Sequence, residues 1–191
     1  FVIDWQRLPI PLNLQPGVYR LQLRLLDAAN ESLFERDLGP LVVNQTERLF
    51  TPPETQFAQD AAFGGEIQLL GYDLEPGEAN GVFDLRLVWQ AITPPTADYT
   101  VFVHVLNQDG TCCLWQQDSP PQQGRYPTSR WVAGEVVVDE YQIVLPETAA
   151  PGAYVVEIGL YVPENGRRLQ VQSPLLPPSD VVYLQPLIVR D

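Results

Sequence analysis

Polar and apolar side chains alternate along most of this chain, and that two-residue period limits its fold more than any other feature. In the run 19–25 every second residue is apolar, with Arg20, Gln22 and Arg24 between them. Successive side chains of a strand lie on opposite faces, so this pattern predicts a half-buried strand. It predicts further strands at 66–70, 83–90, 99–106, 111–116, 135–145, 154–162, 168–171 and 181–189. No stretch shows a convincing 3.6-residue period. We therefore predict an all-β protein with an antiparallel β-sandwich, immunoglobulin-like or jelly-roll-like.

The chain also repeats itself with a shift of 135 residues and no gap. The matched positions are Val2, Asp4, Pro11, Pro16, Gly17, Tyr19 and Asn30 with Val137, Asp139, Pro146, Pro151, Gly152, Tyr154 and Asn165. This predicts the back half of one sandwich unit at 1–46, a linker at 47–62 and a complete sandwich at 63–191. Because a half sandwich cannot bury its apolar face alone, we expect either that residues 1–46 dock on the second unit or that their missing half was removed upstream.

Charge excludes several functional classes. The chain has 24 acidic and 11 basic residues, a formal net charge of −13, and all its basic residues are arginine. Nucleic acids bind to clustered Lys and Arg, so no nucleic-acid partner is expected. No apolar run approaches the ~20 residues of a membrane span, so this chain is not expected to insert into a membrane. The sequence contains no methionine, and we expect it to be a piece of a longer protein.

Residues that carry chemistry are sparse. His104 is the single histidine, and no spacing supplies a metal site around it, so we expect no metal and no cofactor. Cys112 and Cys113 are adjacent and cannot link distant strands; the alternatives are a vicinal disulfide, a bond to another molecule or two free thiols. Asp139 and Glu140 point to opposite faces of a strand, and the repeat favours a structural role for Asp139. Oxygen ligands for calcium are present at Asp73, Glu75 and Asp118, without a recognised spacing.

The segment 119–131 is the best candidate site, because a long loop without a strand pattern in a compact domain is often functional. It contains Arg125, Tyr126, Arg130 and Trp131. Aromatic faces beside planar polar groups are typical of sugar-binding surfaces. With them we group Asp118 and His104 as candidate ligand contacts. The alternative is that both rings plug the end of the sandwich while the arginines pair with carboxylates. The first interpretation predicts exposed rings, and the second predicts buried ones.

Four motifs in a fixed order resemble a known module. They lie at 63–67 running into 70–73, at 98–106 closed by Asp109-Gly110, at 124–131 followed by 134–139, and at 151–154 with 159–161 and 166–169. Together they are similar to the C-terminal β-sandwich of large bacterial membrane proteins of the Chloroflexus type, which resemble lipid-linked-sugar glycosyltransferases of the protein-mannosyltransferase kind. The module itself has no established role. The Cys112-Cys113 pair departs from its pattern.

This resemblance implies a location outside the cytoplasm, tethered by a membrane segment absent from this chain. We expect a non-catalytic accessory module that binds glycan or positions an acceptor, with a neighbouring domain of the same polypeptide as a further partner. The alternative is a structural spacer or a protein–protein interaction domain.

Overall fold

The computed structural model describes residues 17–43, 47–173 and 178–190. The chain divides into two compact units, Phe1–Glu47 and Arg48–Asp191.

The first unit contains an antiparallel hairpin of β1 (Gly17–Leu26) and β2 (Ser32–Val43). Its turn is closed by Asp27, whose Oδ1 accepts hydrogen bonds from two backbone N–H groups at 2.9 and 2.8 Å. The alternating apolar residues of β1 are largely uncovered, with Leu23 46% and Leu25 56% exposed. Their counterparts in the repeat, Ile158 and Leu160, are buried. Residues 1–16 and 44–46 of the proposed half-repeat lie outside the described residues.

The second unit is built from twelve described strands and two short 3-10 turns. The strands are β3 (Phe57–Phe63), β4 (Ile67–Pro76), β5 (Val82–Ala91), β6 (Thr100–Val105), β7 (Trp115–Ser119), β8 (Val136–Val144), β9 (Gly152–Tyr154), β10 (Val156–Val162), β11 (Arg167–Arg168), β12 (Val171–Gln172), β13 (Val182–Tyr183) and β14 (Leu187–Val189). The turns are η1 (Pro121–Gly124) and η2 (Thr128–Arg130).

These strands form two main sheets. Sheet 1 has the order β12-β3-β4-β5-β8, and sheet 2 has the order β11-β10-β6-β7, with β13 also pairing with β10. A short β14-β9 pair completes the unit, and the strand pairs are antiparallel. The antiparallel all-β sandwich expected from the sequence is confirmed.

The core lies between the sheets, where the apolar half of each alternating run points. In β5 the buried Leu85, Leu87 and Trp89 alternate with Asp84 and Arg86, which point outward. Sheet 2 contributes the buried valines of β6 to this core. The rings of Trp89 and Phe63 pack edge to face, with their centroids 5.6 Å apart. Because burial of each large apolar side chain contributes roughly 1.5–3 kcal/mol, this interior is the main source of stability.

Two sequence predictions differ from the structure. Strand β3 occupies most of the second half of the range 47–62, so that range is not wholly a linker. Its more buried positions are Phe57, Gln59, Ala61 and Phe63, and the polar Gln59 among them explains why apolar periodicity missed the strand. The strand expected at 111–116 instead begins at Trp115. The Asp109-Gly110 turn extends further, because Asp109 accepts hydrogen bonds from both the backbone N–H and the hydroxyl of Thr111.

Strand β6 is unusual because both of its faces are buried. Its outward residues are Thr100, Phe102 and His104, and the Phe102 ring lies under the guanidinium of Arg168, 4.3 Å from the ring centroid. Opposite Phe102 on β10 stands Gly159. A Cβ at that position would overlap the Phe102 ring and lie 2.8 Å from the carbonyl oxygen of Asp180. The missing side chain of Gly159 therefore lets the ring and the 180 segment pack on the sheet.

We predict that Gly159→Ala lowers the free energy of unfolding by about 1–3 kcal/mol, because the added methyl overpacks this position. Urea denaturation followed by circular dichroism measures the change. Adding Phe102→Leu to the same chain should restore part of the loss, since it removes the ring that the methyl overlaps. An unchanged unfolding midpoint for Gly159→Ala would contradict this description of the packing.

Candidate functional site

The segment 119–131 carries the chain from sheet 2 to sheet 1, between the end of β7 and the start of β8. We call it the arch. It contains η1 and η2, each a single tight turn, and both are preceded by a proline in extended conformation. Proline fixes its own φ near −65° and cannot donate a backbone hydrogen bond. The arch is therefore anchored largely through side-chain contacts to its neighbours.

The two aromatic rings of the arch are buried, Tyr126 8% exposed and Trp131 2%. The Trp131 indole Nε1 donates to the carbonyl of Tyr126 at 3.2 Å, and the Tyr126 hydroxyl donates to Oε1 of Glu135 at 2.7 Å. Burial, and then the Glu135 carboxylate, raise the pKa of Tyr126 to about 12. The interpretation that these rings stack on a sugar is wrong, because neither offers a free face. Both rings are part of the apolar core.

Glu135 ties the second half of the arch to the chain that precedes β3. Its side chain is buried, forms an ion pair with Arg48 and accepts the backbone N–H of Val132 at 3.0 Å. The Arg48 guanidinium also donates to the backbone carbonyl of Arg130 at 3.1 Å. Arg130 thus contributes its carbonyl to this network, and it is an exposed residue. A buried carboxylate needs such partners, because an unpaired one would be strongly destabilising.

Asp139 on β8 anchors the first half of the arch. Only 1% exposed, it accepts the backbone N–H of Gln122 at 2.8 Å on Oδ1 and the hydroxyl of Tyr141 at 2.7 Å on Oδ2. The Gln122 side chain in turn donates to the carbonyl of Val138 at 3.1 Å. Burial raises the pKa of Asp139 to about 6, although these hydrogen bonds oppose the shift. The expected structural role of Asp139 is confirmed: it binds the backbone of a turn.

These contacts hold an uncommon backbone conformation. Gln122 and Gln123 have φ values of 53° and 55°, and Gly124 follows at 79°. The left-handed region costs a residue with a side chain roughly 1–2 kcal/mol. Consecutive strained residues of this kind concentrate at functional sites. With the backbone in this conformation, Gln123 and Arg125 are exposed at the rim of a groove.

The groove lies on the outer face of sheet 1. The register places Arg86 beside both Asp73 and Glu140, and Asp84 beside both Glu75 and Gln142. Two adjoining hollows of about 500 and 450 Å³ share Gln123 and Glu140 in their walls. We call them together the groove, and its principal residues are Asp84, Arg86, Gln123, Arg125, Glu140 and Gln142.

Most of its polar groups are already oriented by neighbours. Arg86 forms an ion pair with Asp73 and donates to the carbonyl of Glu54 at 2.9 Å. The Gln142 amide donates to Asp84 at 3.3 Å. The Arg125 Nε donates to the carbonyl of Gln122 at 3.1 Å, which fixes the guanidinium along the arch. Side chains that are held before a ligand arrives lose less entropy on binding.

The six residues singled out by the sequence therefore fall into different places. Arg125 lines the groove, while Tyr126 and Trp131 lie in the core and Arg130 is bound through its carbonyl. His104 and Asp118 lie on the outer face of sheet 2, joined by a 3.2 Å contact.

Four groove residues were not singled out from the sequence: Asp84, Arg86, Gln123 and Gln142. The alternation of β5 and β8 placed the first and last on an outer face. These residues come together because β4, β5 and β8 are neighbours in sheet 1. Alternation along one strand does not determine which strands pair. The calcium ligands considered also separate, since Asp73 and Glu75 face the groove while Asp118 lies on the other sheet.

No protein-family model matches the sequence, and no curated protein matches it. Among solved structures, the chain is similar to the crystal structure of the C-terminal domain of wzt, with a TM-score of 0.41 and 15% sequence identity. The alignment covers 65% of this chain and 75% of that one. In the described part of the chain, no helix has the length and apolar character needed to cross a bilayer.

We predict that Asp139→Asn flattens the dependence of stability on pH. The folded-state pKa of about 6 lies above the ordinary value near 4, so the folded chain binds the proton more tightly than the unfolded one. This contribution to stability is complete below pH 4 and is lost as the pH rises through 6. The loss is on the order of 3 kcal/mol for the wild type, and the asparagine variant lacks it.

Urea denaturation at pH 4.5, 5.5 and 7 measures both chains. Glu147→Gln is the control, since Glu147 is an exposed carboxylate beyond the end of β8 and is not a cause of the raised pKa of Asp139. Parallel pH profiles for wild type and Asp139→Asn would contradict the raised pKa.

Proposed function

We propose that the second unit is a non-catalytic binding module whose groove on sheet 1 holds a neutral glycan. The observation that carries this proposal is the arch, which holds Gln123 in a left-handed conformation at the rim of a polar groove. Strain of this kind is maintained here by a buried carboxylate and a side-chain amide. Such a costly arrangement is explained if the position of the rim matters for binding.

The chemistry of the groove suits hydroxyl groups. Carboxylates accept hydrogen bonds, guanidinium groups donate them, and the amides of Gln123 and Gln142 do both. A sugar ring presents donors and acceptors in alternation around its edge, so it can pair with all three kinds. The groove is also of the size in which small ligands are commonly bound, about 300–1,000 Å³.

Charge favours a neutral ligand over an anionic one. Four carboxylates line the groove: Asp73, Glu75, Asp84 and Glu140. Its arginines are Arg86, already paired with Asp73, and Arg125. The whole chain has a net charge of −13, which repels anions over a longer range. We therefore propose neutral oligosaccharides as ligands and expect uronic-acid polymers to bind more weakly.

We propose that the groove binds its ligand without catalysing a reaction on it. Glycoside hydrolysis needs two carboxyl groups that converge on one bond, one of them a proton donor. Three of the four groove carboxylates are engaged otherwise: Asp73 with Arg86, Glu75 with the amide of Gln56, and Asp84 with the amide of Gln142. Asp139, whose pKa is raised, is buried beneath the arch and bound to Gln122 and Tyr141.

The wider role that we propose is that of an accessory module. The four sequence motifs resemble the β-sandwich of membrane proteins similar to lipid-linked-sugar glycosyltransferases. In such a setting the module lies outside the cytoplasm, tethered by a membrane segment of the parent protein, and presents or positions a glycan acceptor. The resemblance supports this part of the proposal, and the groove supports glycan binding.

A second candidate function is a structural spacer or protein-interaction domain in a larger protein. Two observations favour it. The buried Tyr126 and Trp131 are what a spacer predicts for the arch. The hairpin of the first unit also exposes apolar side chains, among them Leu33 at 71% and Val42 at 60%. The two functions differ in what the groove residues should do when they are changed.

Isothermal titration calorimetry against matched neutral and uronic-acid oligosaccharides tests the proposal. We expect saturable binding of a neutral oligosaccharide with at least 5-fold weaker binding to the uronate. Gln123→Gly should weaken binding about 5-fold by removing one neutral hydrogen-bonding group, and Glu140→Gln about 10-fold or more by removing a charged one. Glycine adopts positive φ freely, so the first variant keeps the backbone of the arch.

The matched control is Gln116→Ala, an exposed glutamine of β7 on the other sheet. It should bind like the wild type. No binding of any oligosaccharide by a folded chain would support the spacer. Binding that survives Gln123→Gly and Glu140→Gln but is lost in Gln116→Ala would place a glycan site on sheet 2 and overturn the assignment to the groove.

A further inference from the structure

The outer face of sheet 2 holds a second polar cluster, separate from the groove. Its centre is His104 on β6, whose side chain is only 11% exposed. The Nε2 atom lies 3.2 Å from Oδ1 of Asp118 on β7, and the Nδ1 atom lies 3.3 Å from Oε1 of Glu157 on β10. Three neighbouring strands therefore direct one imidazole and two carboxylates toward each other.

The imidazole alone does not satisfy both carboxylates. A neutral imidazole carries one N–H, so it can donate to only one of them. With the proton on Nε2, that nitrogen donates to Asp118, and the lone pair of Nδ1 faces the lone pairs of Glu157. Either a second proton or a cation must lie between Nδ1 and Glu157. A histidine that ligates a metal through one ring nitrogen usually donates the N–H of the other to a carboxylate. Asp118 is placed to accept such a hydrogen bond from Nε2 of His104.

Two sulfur atoms complete the cluster. The Sγ of Cys112 lies 3.9 Å from Nδ1 of His104. One ligand atom from each of His104, Cys112 and Cys113 lies within 4.8 Å of the others. In this structure the two sulfurs are joined in a disulfide. Reduction by a thiol or phosphine adds two electrons and two protons, which breaks the S–S bond and leaves two thiols beside the histidine.

We propose that the reduced chain binds a thiophilic divalent cation of the Zn²⁺ class at this cluster. The structure brings together the ligand atoms of His104, Cys112 and Cys113, and the carboxylate of Glu157, 3.3 Å from Nδ1, moves in as the fourth ligand when the cation binds, with Asp118 orienting the imidazole. Binding of the cation displaces both thiol protons. In the oxidised chain the sulfurs bear no thiolate, so the site exists only after reduction. This site does not depend on the glycan proposal, since it shares no residue with the groove.

The distances fit such an ion. In a tetrahedral zinc site with bonds of about 2.0 Å to nitrogen and oxygen and about 2.3 Å to sulfur, nitrogen and oxygen ligands lie ~3.3 Å apart and nitrogen and sulfur ~3.6 Å apart. The corresponding separations here are 3.3 Å from Nδ1 to Oε1 and 3.9 Å from Nδ1 to Sγ of Cys112. Expectation from spacing alone excluded a metal at His104. The loop after β6 folds back and brings the cysteines close to the histidine, which residue spacing does not encode.

Cobalt is the spectroscopic probe, since tetrahedral Co²⁺ bound to thiolate absorbs strongly in the visible range and shows a sulfur charge-transfer band. The whole chain is reduced with a phosphine, and the phosphine is then removed under anaerobic conditions. The reduced chain is titrated with Co²⁺ and then with Zn²⁺. We expect one equivalent of tetrahedral Co²⁺, displaced by Zn²⁺, in the reduced chain and none in the oxidised chain. The variant Cys112→Ser with Cys113→Ser should lose both the charge-transfer band and at least ~100-fold in affinity.

Asp118→Asn separates a designed site from chance binding. It should weaken binding roughly 10-fold while the tetrahedral spectrum stays the same, because Asp118 acts through the imidazole. Glu157→Gln should weaken binding and alter the spectrum. Glu147→Gln, which changes an exposed carboxylate beyond the end of β8, is the control and should bind like the wild type. Because Cys112 is exposed and Cys113 half-buried, the serine variant is expected to fold, and its melting curve verifies this.

Several outcomes would overturn the proposal. One is weak, octahedral cobalt binding that the serine variant shares, which indicates adventitious binding to surface carboxylates. Another is equal binding by the oxidised and reduced chains. A third is the absence of any binding by the reduced, folded chain.

Discussion

The buried carboxylate of Asp139 is the interaction on which the candidate site depends. Burying this group is unfavourable by itself, and the structure offsets the cost with two hydrogen bonds, from the Gln122 backbone and the Tyr141 hydroxyl. One donor lies on the arch and the other on β8, so the carboxylate joins the segment between the sheets to the edge strand of sheet 1. Glu135 does the same for the other half of the arch through Tyr126 and Arg48.

This arrangement divides the arch into two functional parts. Its aromatic side chains are drawn inward to the core, and its amide and guanidinium groups are left at the rim of the groove. The left-handed pair Gln122 and Gln123 lies between the buried Pro121 and the exposed Arg125. A ligand at the groove would therefore meet hydrogen-bonding groups and little aromatic surface.

The outward side chains of the two sheets differ in how far they are buried. On sheet 1 the outward residues of β5 and β8 stay accessible and line the groove. On sheet 2 the outward residues of β6 are covered, with Phe102 beneath Arg168 and His104 between two carboxylates. Burial of an imidazole and of a neighbouring carboxylate is costly unless they are paired, so this face is held by its polar contacts. The two proposals thus concern chemically distinct surfaces of one fold.

Much of the fold could be predicted from alternation, since strands with one buried face repeat every second residue. Strand β3 was missed, because the polar Gln59 takes one of its more buried positions and interrupts the apolar pattern. The site was harder to predict. Residues 119–131 stood out as a loop, yet whether Tyr126 and Trp131 point inward depends on Glu135 and Arg48, which lie outside it. Similarly, the approach of Cys112 to His104 requires a loop geometry that spacing does not encode.

Amide hydrogen exchange of Gln122 tests the role of Asp139 most directly. The account predicts that this amide, in a loop without regular strand pairing, exchanges at least ~100-fold more slowly than in a free peptide, because its proton is bonded to a buried carboxylate. The protection should be lost in Asp139→Ala while core amides such as that of Leu87 stay protected. Exchange of Gln122 at the free-peptide rate in the folded wild type would contradict the claim that this carboxylate holds the arch.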